Sequence, residues 1–228
     1  MMSIIRVYYV LHTIETAQGV SMKLIKYEHA CFTLENNGEA LVVDPGGWSR
    51  DFVCPSAVVG VVITHEHPDH FISETLHEII AANPDAVIYA LATIAEQLED
   101  LPTQVVAPGA TVTIGPAYQL TFVGGQHAEI HPDIPRVANI DVLINDTLYY
   151  PGDSFDLPQR HVEWLALPVA APWLKLSDSI NFARAVAATH VFPVHDAVLS
   201  DEGKGVVDAL SARLIGTSYQ RLTEPVEL

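Results

Sequence analysis

The chain has 228 residues, of which 49% are hydrophobic and 17% charged, so it has enough apolar material for a packed core and is not a disordered chain. Lys and Arg total 11 against 28 Asp and Glu, which gives a formal net charge of −17. A field of that sign repels the phosphates of nucleic acid and anionic lipid, so we expect neither as a partner. The chain also has 11 His, the commonest metal-ligating side chain, which directs attention to clustered ligands.

The cysteine content and the chain ends bear on location and domain organisation. Cys31 and Cys54 are the two cysteines and form no C-x-x-C pair, so we expect neither a disulfide framework nor a thiolate zinc site, and a reducing, cytoplasmic setting. No apolar run approaches the ~18 residues of a membrane span. Residues 1–21 are predicted to be an extension of uncertain role, because the strand pattern begins directly after Met22; residues 22–228 are predicted to form one domain.

The first elements predicted in chain order are strands. LIKY, ACFTLE and EALVVDP have strand character, and Asn36-Asn37-Gly38 between the second and third supplies the positive φ of a tight hairpin. The run from Val58 to Thr64 is nearly continuous and β-branched, which is typical of a strand covered on both faces. It leads directly into the sequence HEHPDH, so that motif is predicted to lie on a loop after a buried strand.

Strands and helices then alternate. Ser73 is predicted to cap a helix, and Thr93 with Glu96 is predicted to form the capping box of a short second helix. The later predicted elements are the strands VIYA, VVA, TVTI and YQLTFV, a hairpin around Asn145-Asp146, the strand WLALPV, a helix over 177–188, the strand HVFPVH and a helix over 206–214. Among layered α/β arrangements, this order favours two mixed sheets with helices on their outer faces, a four-layer αββα sandwich.

The HEHPDH motif carries the chemistry. His65, His67, Asp69 and His70 are four metal-ligating residues within six positions. After a strand, residues 65 and 67 can point to one side while the turn at Pro68 redirects 69 and 70, so one segment can serve two adjacent metal positions. Imidazole and carboxylate are ligands that zinc accepts, and a hydrolytic site adds an open position for water. The sequence therefore predicts a metal site on this loop.

The motif resembles the H-x-H-x-D-H signature of the metallo-β-lactamase superfamily, whose fold is the αββα sandwich and whose members mostly bind two metal ions, usually zinc. Further matching motifs follow in the expected order: Asp44 before Pro-Gly-Gly, His127 in GGQHAE, Asp153 in YYPGDS and His195 in VFPVHD. The resemblance implies a first metal on His65, His67 and His127, a second on Asp69, His70 and His195, with Asp153 between them. Asp44 would support the ligand loop.

Three of these positions have rivals in the sequence. His131 could replace His127 as the third ligand, Asp146 competes with Asp153, and His190 competes with His195. Asp146 lies in a predicted turn, and His190 precedes the strand that His195 ends, so we favour Asp153 and His195. The remaining histidines that we expect at the surface or the edge of the core are His12, His77 and His161.

The ligand types bear on the metal and on the branch of the superfamily. No cysteine takes a ligand position, and His67 stands where the diiron members usually have Glu, so the resemblance implies two Zn²⁺ ions, with Mn²⁺ or Fe²⁺ as alternatives. The opening YEHACFTLE resembles that of the small L-ascorbate-6-phosphate-lactonase-like branch, although Tyr27-Glu28 replaces its usual Gly. His29 in this segment is predicted to support the site by a hydrogen bond beneath it.

The predicted function is a dinuclear zinc-dependent hydrolase that uses a metal-bridging hydroxide on a small ester, lactone, thioester or phosphoester. Asp69 would be both a ligand and the acceptor that orients this hydroxide. The short span between His70 and His127 leaves little room for a large binding arm, so a small molecule is the expected substrate; Trp48 and Trp173 are candidate pocket walls. The alternatives are a phosphodiesterase or nuclease of the same superfamily, which the scarcity of Lys and Arg opposes, and a non-catalytic metal-binding protein.

Overall fold

The computed structural model describes residues 22–228, and the prediction about residues 1–21 lies outside that range. The strands in the described residues are Lys23–Lys26 (β1), Phe32–Asn36 (β2), Glu39–Val43 (β3), Val58–Val62 (β4), Val87–Ala90 (β5), Thr103–Val105 (β6), Thr111–Ile114 (β7), Tyr118–Gly124 (β8), Ile140–Ile144 (β9), Leu148–Tyr150 (β10), Trp164–Pro168 (β11), His190–Val194 (β12), Ser218–Tyr219 (β13) and Val226–Glu227 (β14). The helices are Ser73–Ala82 (α1), Ala92–Ala95 (α2), Leu176–Val186 (α3) and Asp201–Leu214 (α4).

The strands in residues 22–228 form two seven-stranded sheets of the same design. The order in the first sheet is β14-β1-β2-β3-β4-β5-β6, and in the second it is β13-β12-β11-β10-β9-β8-β7. In each sheet, hairpins give antiparallel pairs on one side, and strands joined through longer crossovers give parallel pairs on the other. The two predicted hairpin turns form as expected, because Asn37 and Asn145 have φ of 54° and 52°.

Three layers of apolar contacts join the sheets and helices. The central layer lies between the sheets, where residues such as Phe32 and Leu41 meet Phe122 and Phe192. On the outer face of the first sheet, α1 and α2 pack with a second cluster of buried side chains that includes Ile79. The third cluster packs α3 and α4 on the outer face of the second sheet. The protein is therefore the four-layer αββα sandwich that the sequence predicts.

The structure corrects three predicted helix starts, since α4 begins at Asp201 rather than at residue 206. Ser73 is the first residue of α1 rather than its cap, and the cap position, Ile72, makes no side-chain hydrogen bond. Leu91 occupies the cap position of α2, so the Thr93–Glu96 capping box does not form. Ser200, which the sequence analysis did not single out, is a side-chain cap: its hydroxyl accepts a hydrogen bond from the Gly203 amide at 3.2 Å. None of the helices in residues 22–228 has the length and hydropathy that crossing a membrane requires.

The loops that follow β3 and β4 are packed tightly against each other. The amide of Gly47 donates a hydrogen bond to the carbonyl of Pro68 at 2.8 Å. A Cβ atom at Gly46 would lie 2.0 Å from the carbonyl oxygen of Asp69 and 2.4 Å from the amide nitrogen of His70. The HEHPDH loop therefore rests directly on the backbone of the Asp44-Pro-Gly-Gly segment, and only glycine permits that approach.

We expect Gly46→Ala to destabilise the protein and to displace the HEHPDH loop, because its methyl group would overlap backbone atoms that cannot rotate away. Overpacking of this kind costs about 1–3 kcal/mol of unfolding free energy. Gly205→Ala in α4 is the matched control: its Cβ meets no atom within 4 Å, and it should stabilise by about 0.5–1 kcal/mol. Denaturant unfolding of the chelator-treated protein measures both values, and equal stability of the two variants would contradict the packing described.

Candidate metal centre

The site lies where the ends of strands from both sheets meet. Asp44 follows β3, His65 to His70 follow β4, Asp153 follows β10 and His195 follows β12. The possible ligand atoms form three overlapping groups, each with all its atoms within 4.8 Å of one another. The groups are His65, His67 and His127; His65, His70 and Asp153; and His29, Asp69, His70 and His195.

Four buried imidazoles are held by the nitrogen that faces away from the centre. Nδ1 of His127 and Nδ1 of His195 each lie 2.6 Å from a backbone carbonyl oxygen, those of Ala128 and Ala170. Because a carbonyl only accepts, each of these Nδ1 atoms carries a hydrogen, and in the neutral ring the opposite Nε2 keeps the lone pair. Nδ1 of His70 lies 2.7 Å from the Asp44 carboxylate, and Nδ1 of His65 lies 3.1 Å from the Thr64 hydroxyl.

The Nε2 atoms of these rings have no hydrogen-bond partner although they are buried. The unpartnered atoms at the centre are Nε2 of His65, His70, His127 and His195, together with Oδ1 of Asp153. Buried polar atoms rarely lack a partner, and leaving one unsatisfied costs about 1–3 kcal/mol. Lone pairs that converge in this way, with the opposite nitrogen anchored, are the arrangement of metal-binding histidines, so the residues present fit divalent cations.

Asp153 lies between the two halves of the centre. Its Oδ2 is 3.2 Å from Nε2 of His127 and 3.0 Å from Nε2 of His195, and its Oδ1 is 3.3 Å from Nε2 of His70. The indole Nε1 of Trp173 donates a hydrogen bond to Oδ2 at 2.9 Å. Asp153 is thus the carboxylate in contact with residues assigned to both predicted metal positions.

Asp69 is held by His29, as the sequence analysis predicts for a supporting residue. The amide of Ala197 donates to Nδ1 of His29 at 3.3 Å, which leaves the hydrogen on Nε2, and Nε2 lies 3.0 Å from Oδ2 of Asp69. Burial lowers the pKa of His29 to about 4, although the hydrogen bond to Asp69 opposes the shift. A neutral His29 therefore donates to Asp69 and orients its carboxylate toward His195, whose Nε2 is 3.3 Å away.

The carboxylates give the centre a negative potential. Burial by itself would raise the pKa of Asp153, but His195 and His70 lower it well below its ordinary range, so Asp153 is ionised. Burial would lower the pKa of His195, yet the neighbouring Asp153 raises it to about 9. The potential that favours a proton on these rings equally favours a divalent cation, and the two compete for the same lone pairs.

The structure brings all seven predicted ligands together and separates their rivals from them. His131 is largely exposed, with its Nδ1 3.7 Å from a carboxylate oxygen of Asp133. Asp146 pairs with Arg160 at the surface, and His190 stacks on Trp164. His77 and His161 are exposed, as expected, and His12 lies outside the described residues. The assignment of individual ligands to metal ions stays a prediction.

Sequence reasoning missed residues that hold the ligands. The side chain of Asn139 accepts from the Asp153 amide at 3.0 Å and donates to Asp141, and Tyr150 donates to Asp44 across the two sheets at 2.7 Å. Trp173 was named only as a candidate pocket wall. Tyr150 is part of the YYPGDS motif, but the sequence does not show which residues these three side chains contact, and only their position in the folded chain reveals it.

Comparisons with known proteins agree with the fold and the site. Residues 23–195 match the Beta-lactamase superfamily domain. The chain is 35% identical over 213 residues to "Protein Rv0786c" of Mycobacterium tuberculosis, covering 89% of this chain and 97% of that protein. The chain therefore belongs to the beta-lactamase superfamily.

Two solved structures share the fold. Igni18, a metallo hydrolase from Ignicoccus hospitalis, superimposes with a TM-score of 0.69 at 18% identity, covering 91% of this chain and 98% of that one. The metallo-beta-lactamase fold protein YhfI from Bacillus subtilis gives a TM-score of 0.69 at 14% identity, covering 91% of this chain and 100% of the other. At these identities the similarity establishes the architecture and leaves the substrate open.

We expect His127→Ala to reduce the metal content of the purified protein and His131→Ala to leave it unchanged. His127 presents a buried, unpartnered Nε2 to the centre, whereas His131 points to solvent. Elemental analysis after dialysis against metal-free buffer measures the difference. The reverse result, with metal lost only from the His131 variant, would assign the third ligand to His131.

Trp173→Phe tests the hydrogen bond to Asp153. The variant keeps an aromatic ring against His127 and Phe155, which lie 5.9 and 5.1 Å away between ring centroids, and removes only the N–H donor. Loss of a partner that holds a metal ligand typically weakens metal affinity 10–100-fold. We expect a loss in that range in a chelator competition titration. Trp164→Phe, whose ring stacks on His190 instead, is the control, and equal affinities of the two variants would contradict this role for Trp173.

Proposed function

We propose that the protein is a dinuclear zinc-dependent hydrolase of a small ester, lactone, thioester or phosphoester. The observation that carries the proposal is the convergence of four anchored, unpartnered Nε2 atoms on two ionised carboxylates within one buried centre. A structural metal site would surround a single ion with closed coordination. This centre instead offers two adjacent ligand sets that share Asp153.

The chain's own residues have separable roles in this proposal. His65, His67 and His127 would hold one ion, and Asp69, His70 and His195 the other. When bound, the two ions would supply Lewis acidity and a water molecule activated at neutral pH. Asp69 has one oxygen engaged by His29, and its side chain is 14% exposed, so its carboxylate can accept a hydrogen bond at the mouth of the centre and orient the attacking group.

Access to the centre favours a small substrate. His67 is half-buried and Asp69 is partly exposed, whereas the side chains of His65, His70 and Asp153 are almost fully enclosed, so the centre opens on the side of the HEHPDH loop. A cleft of about 450 Å³ lies beside His127 and is lined by residues 124–128, Arg136 and residues 154–156. A cleft of this size matches a small molecule and lies within the range of ligand-binding sites.

Zinc is supported by the donor set. The seven predicted ligands are five imidazoles and two carboxylates, a combination that suits zinc. Neither cysteine belongs to the three groups of possible ligands: Cys31 is buried between β1 and β2, and Cys54 lies on the segment before β4. Mn²⁺ and Fe²⁺ accept the same donors and are the alternatives that metal analysis distinguishes.

We expect the purified protein to carry about two zinc ions per chain and to hydrolyse members of a panel of lactones, thioesters and phosphodiesters only when metal is bound. His67→Ala should lose metal and turnover together, because it removes a predicted ligand at the mouth. His77→Ala is the matched control, since His77 is exposed and pairs with Asp100 at the surface. Unchanged turnover by metal-free wild-type protein would overturn the proposal, and cleavage of single-stranded RNA without turnover of the small substrates would replace it by the nuclease alternative.

A further inference from the structure

Exposed apolar side chains are concentrated around the metal centre. In residues 22–228 the large hydrophobic side chains that are exposed are Trp48, Val53, Val105, Ile134, Leu157, Val198 and Val206. Five of these seven lie in the loops over residues 44–57, 125–139, 151–163 and 195–200, and those loops carry Asp44, His127, Asp153 and His195 respectively. The apolar surface therefore follows the loops of the site rather than the outside of the sandwich.

Two of these residues form the walls of one cleft. Trp48 is 43% exposed and Val198 is 49% exposed, and with Arg50 and Ala197 they line a cavity of about 250 Å³, called the Trp48 cleft below. The guanidinium of Arg50 is bonded to Glu28 at 2.8 Å, so its charge is already paired. The surface left in the cleft is an indole ring, two small aliphatic side chains and the stem of an arginine, which favours apolar groups over anions.

The Trp48 cleft lies beside the centre. The ring of Trp48 contacts His29 edge-to-face with a centroid distance of 4.7 Å, and His29 in turn contacts the ring of His195 at 4.1 Å. His29 also donates to Asp69, so one side chain separates the cleft from the predicted second metal position. The cleft and the centre therefore lie on either side of His29, within the reach of one small substrate.

We propose that the Trp48 cleft binds an alkyl or acyl chain of the substrate, and that the substrate is therefore an uncharged lactone, ester or thioester with an apolar substituent rather than a phosphoester. This inference rests on the proposed hydrolase function and specifies its substrate class. The area facing the cleft is contributed by the loops after β3 and β12, one from each sheet, so the specificity is built at the junction of the two sheets.

The kinetic test varies only the apolar substituent. The zinc-loaded protein is assayed with γ-lactones that carry hydrogen, ethyl or butyl next to the ring oxygen, and with the S-ethyl thioesters of acetic, butanoic and hexanoic acid. Burying each methylene in a half-open cleft is worth about twofold, so kcat/KM should rise about tenfold across a series. Val198→Ser should lower that ratio about threefold or more, and Val206→Ser, which changes an equally exposed valine on α4, should leave the ratio as in the wild type.

A binding measurement keeps the inference testable without turnover. Tryptophan fluorescence of the zinc-loaded protein is titrated with acetate and with hexanoate, and we expect hexanoate to bind about tenfold more tightly, with the preference lost in Val198→Ser. If the lactones and thioesters are hydrolysed with the same kcat/KM at every chain length, and hexanoate binds no more tightly than acetate, the inference is overturned. The proposed hydrolase function would still stand. A hexanoate preference that depends on Val198, with no turnover of either series or of the phosphodiesters, would support the apolar cleft and contradict the proposed hydrolase function. Preferential turnover of phosphoesters would overturn the substrate class.

Discussion

The buried carboxylate of Asp44 is the interaction on which the site depends. It is fully buried, and its oxygens accept from the Thr64 amide at 2.8 Å, the Thr64 hydroxyl at 2.6 Å, His70 Nδ1 at 2.7 Å and the Tyr150 hydroxyl at 2.7 Å. A buried charge is tolerated only when such donors surround it, so these groups are fixed relative to one another. Because Thr64 follows β4 and Tyr150 belongs to β10, one carboxylate joins the first sheet, the second sheet and the HEHPDH loop.

Four buried imidazoles of the centre are likewise fixed by a hydrogen bond at the Nδ1 atom. A carbonyl, a hydroxyl or a carboxylate takes the hydrogen of Nδ1, and the lone pair of Nε2 then has to face the centre. The backbone is strained to achieve this: His29, Asp44 and His195 all have positive φ, at 59°, 43° and 61°. Non-glycine residues in this region cost about 1–3 kcal/mol each and persist only where surrounding contacts require them. Three of the eight such residues in 22–228 thus lie at the centre, and others, such as Asn37 and Asn145, lie in hairpin turns.

The buried groups of the centre and the side chains at its rim differ in polarity. The whole chain carries −17, and the centre itself concentrates ionised carboxylates that attract cations. The rim is instead apolar, with Trp48 and Val198 on the side of His29 and Ile134 in the cleft that contacts His67 and His127. A rim of this kind would favour ligands with apolar groups, as proposed for the Trp48 cleft, while the possible metal ligands are buried at one point.

Local sequence patterns were enough to predict most of the strands and the position of the metal site. Alternating and continuous apolar runs predicted the strands and both hairpins, because strand burial has a short period that a single sequence reveals. The spacing of HEHPDH predicted a metal site, and resemblance to a family supplied His127, Asp153 and His195. Only the tertiary structure decided between His127 and His131 as neighbours of the centre, and only it revealed the contacts of Trp173, Asn139 and Tyr150 and the lining of the Trp48 cleft. Tyr150 bonds to Asp44, and Trp48 lines one cleft with Val198, although each pair is more than a hundred positions apart in the chain. No local periodicity records which strand ends meet when two sheets pack face to face.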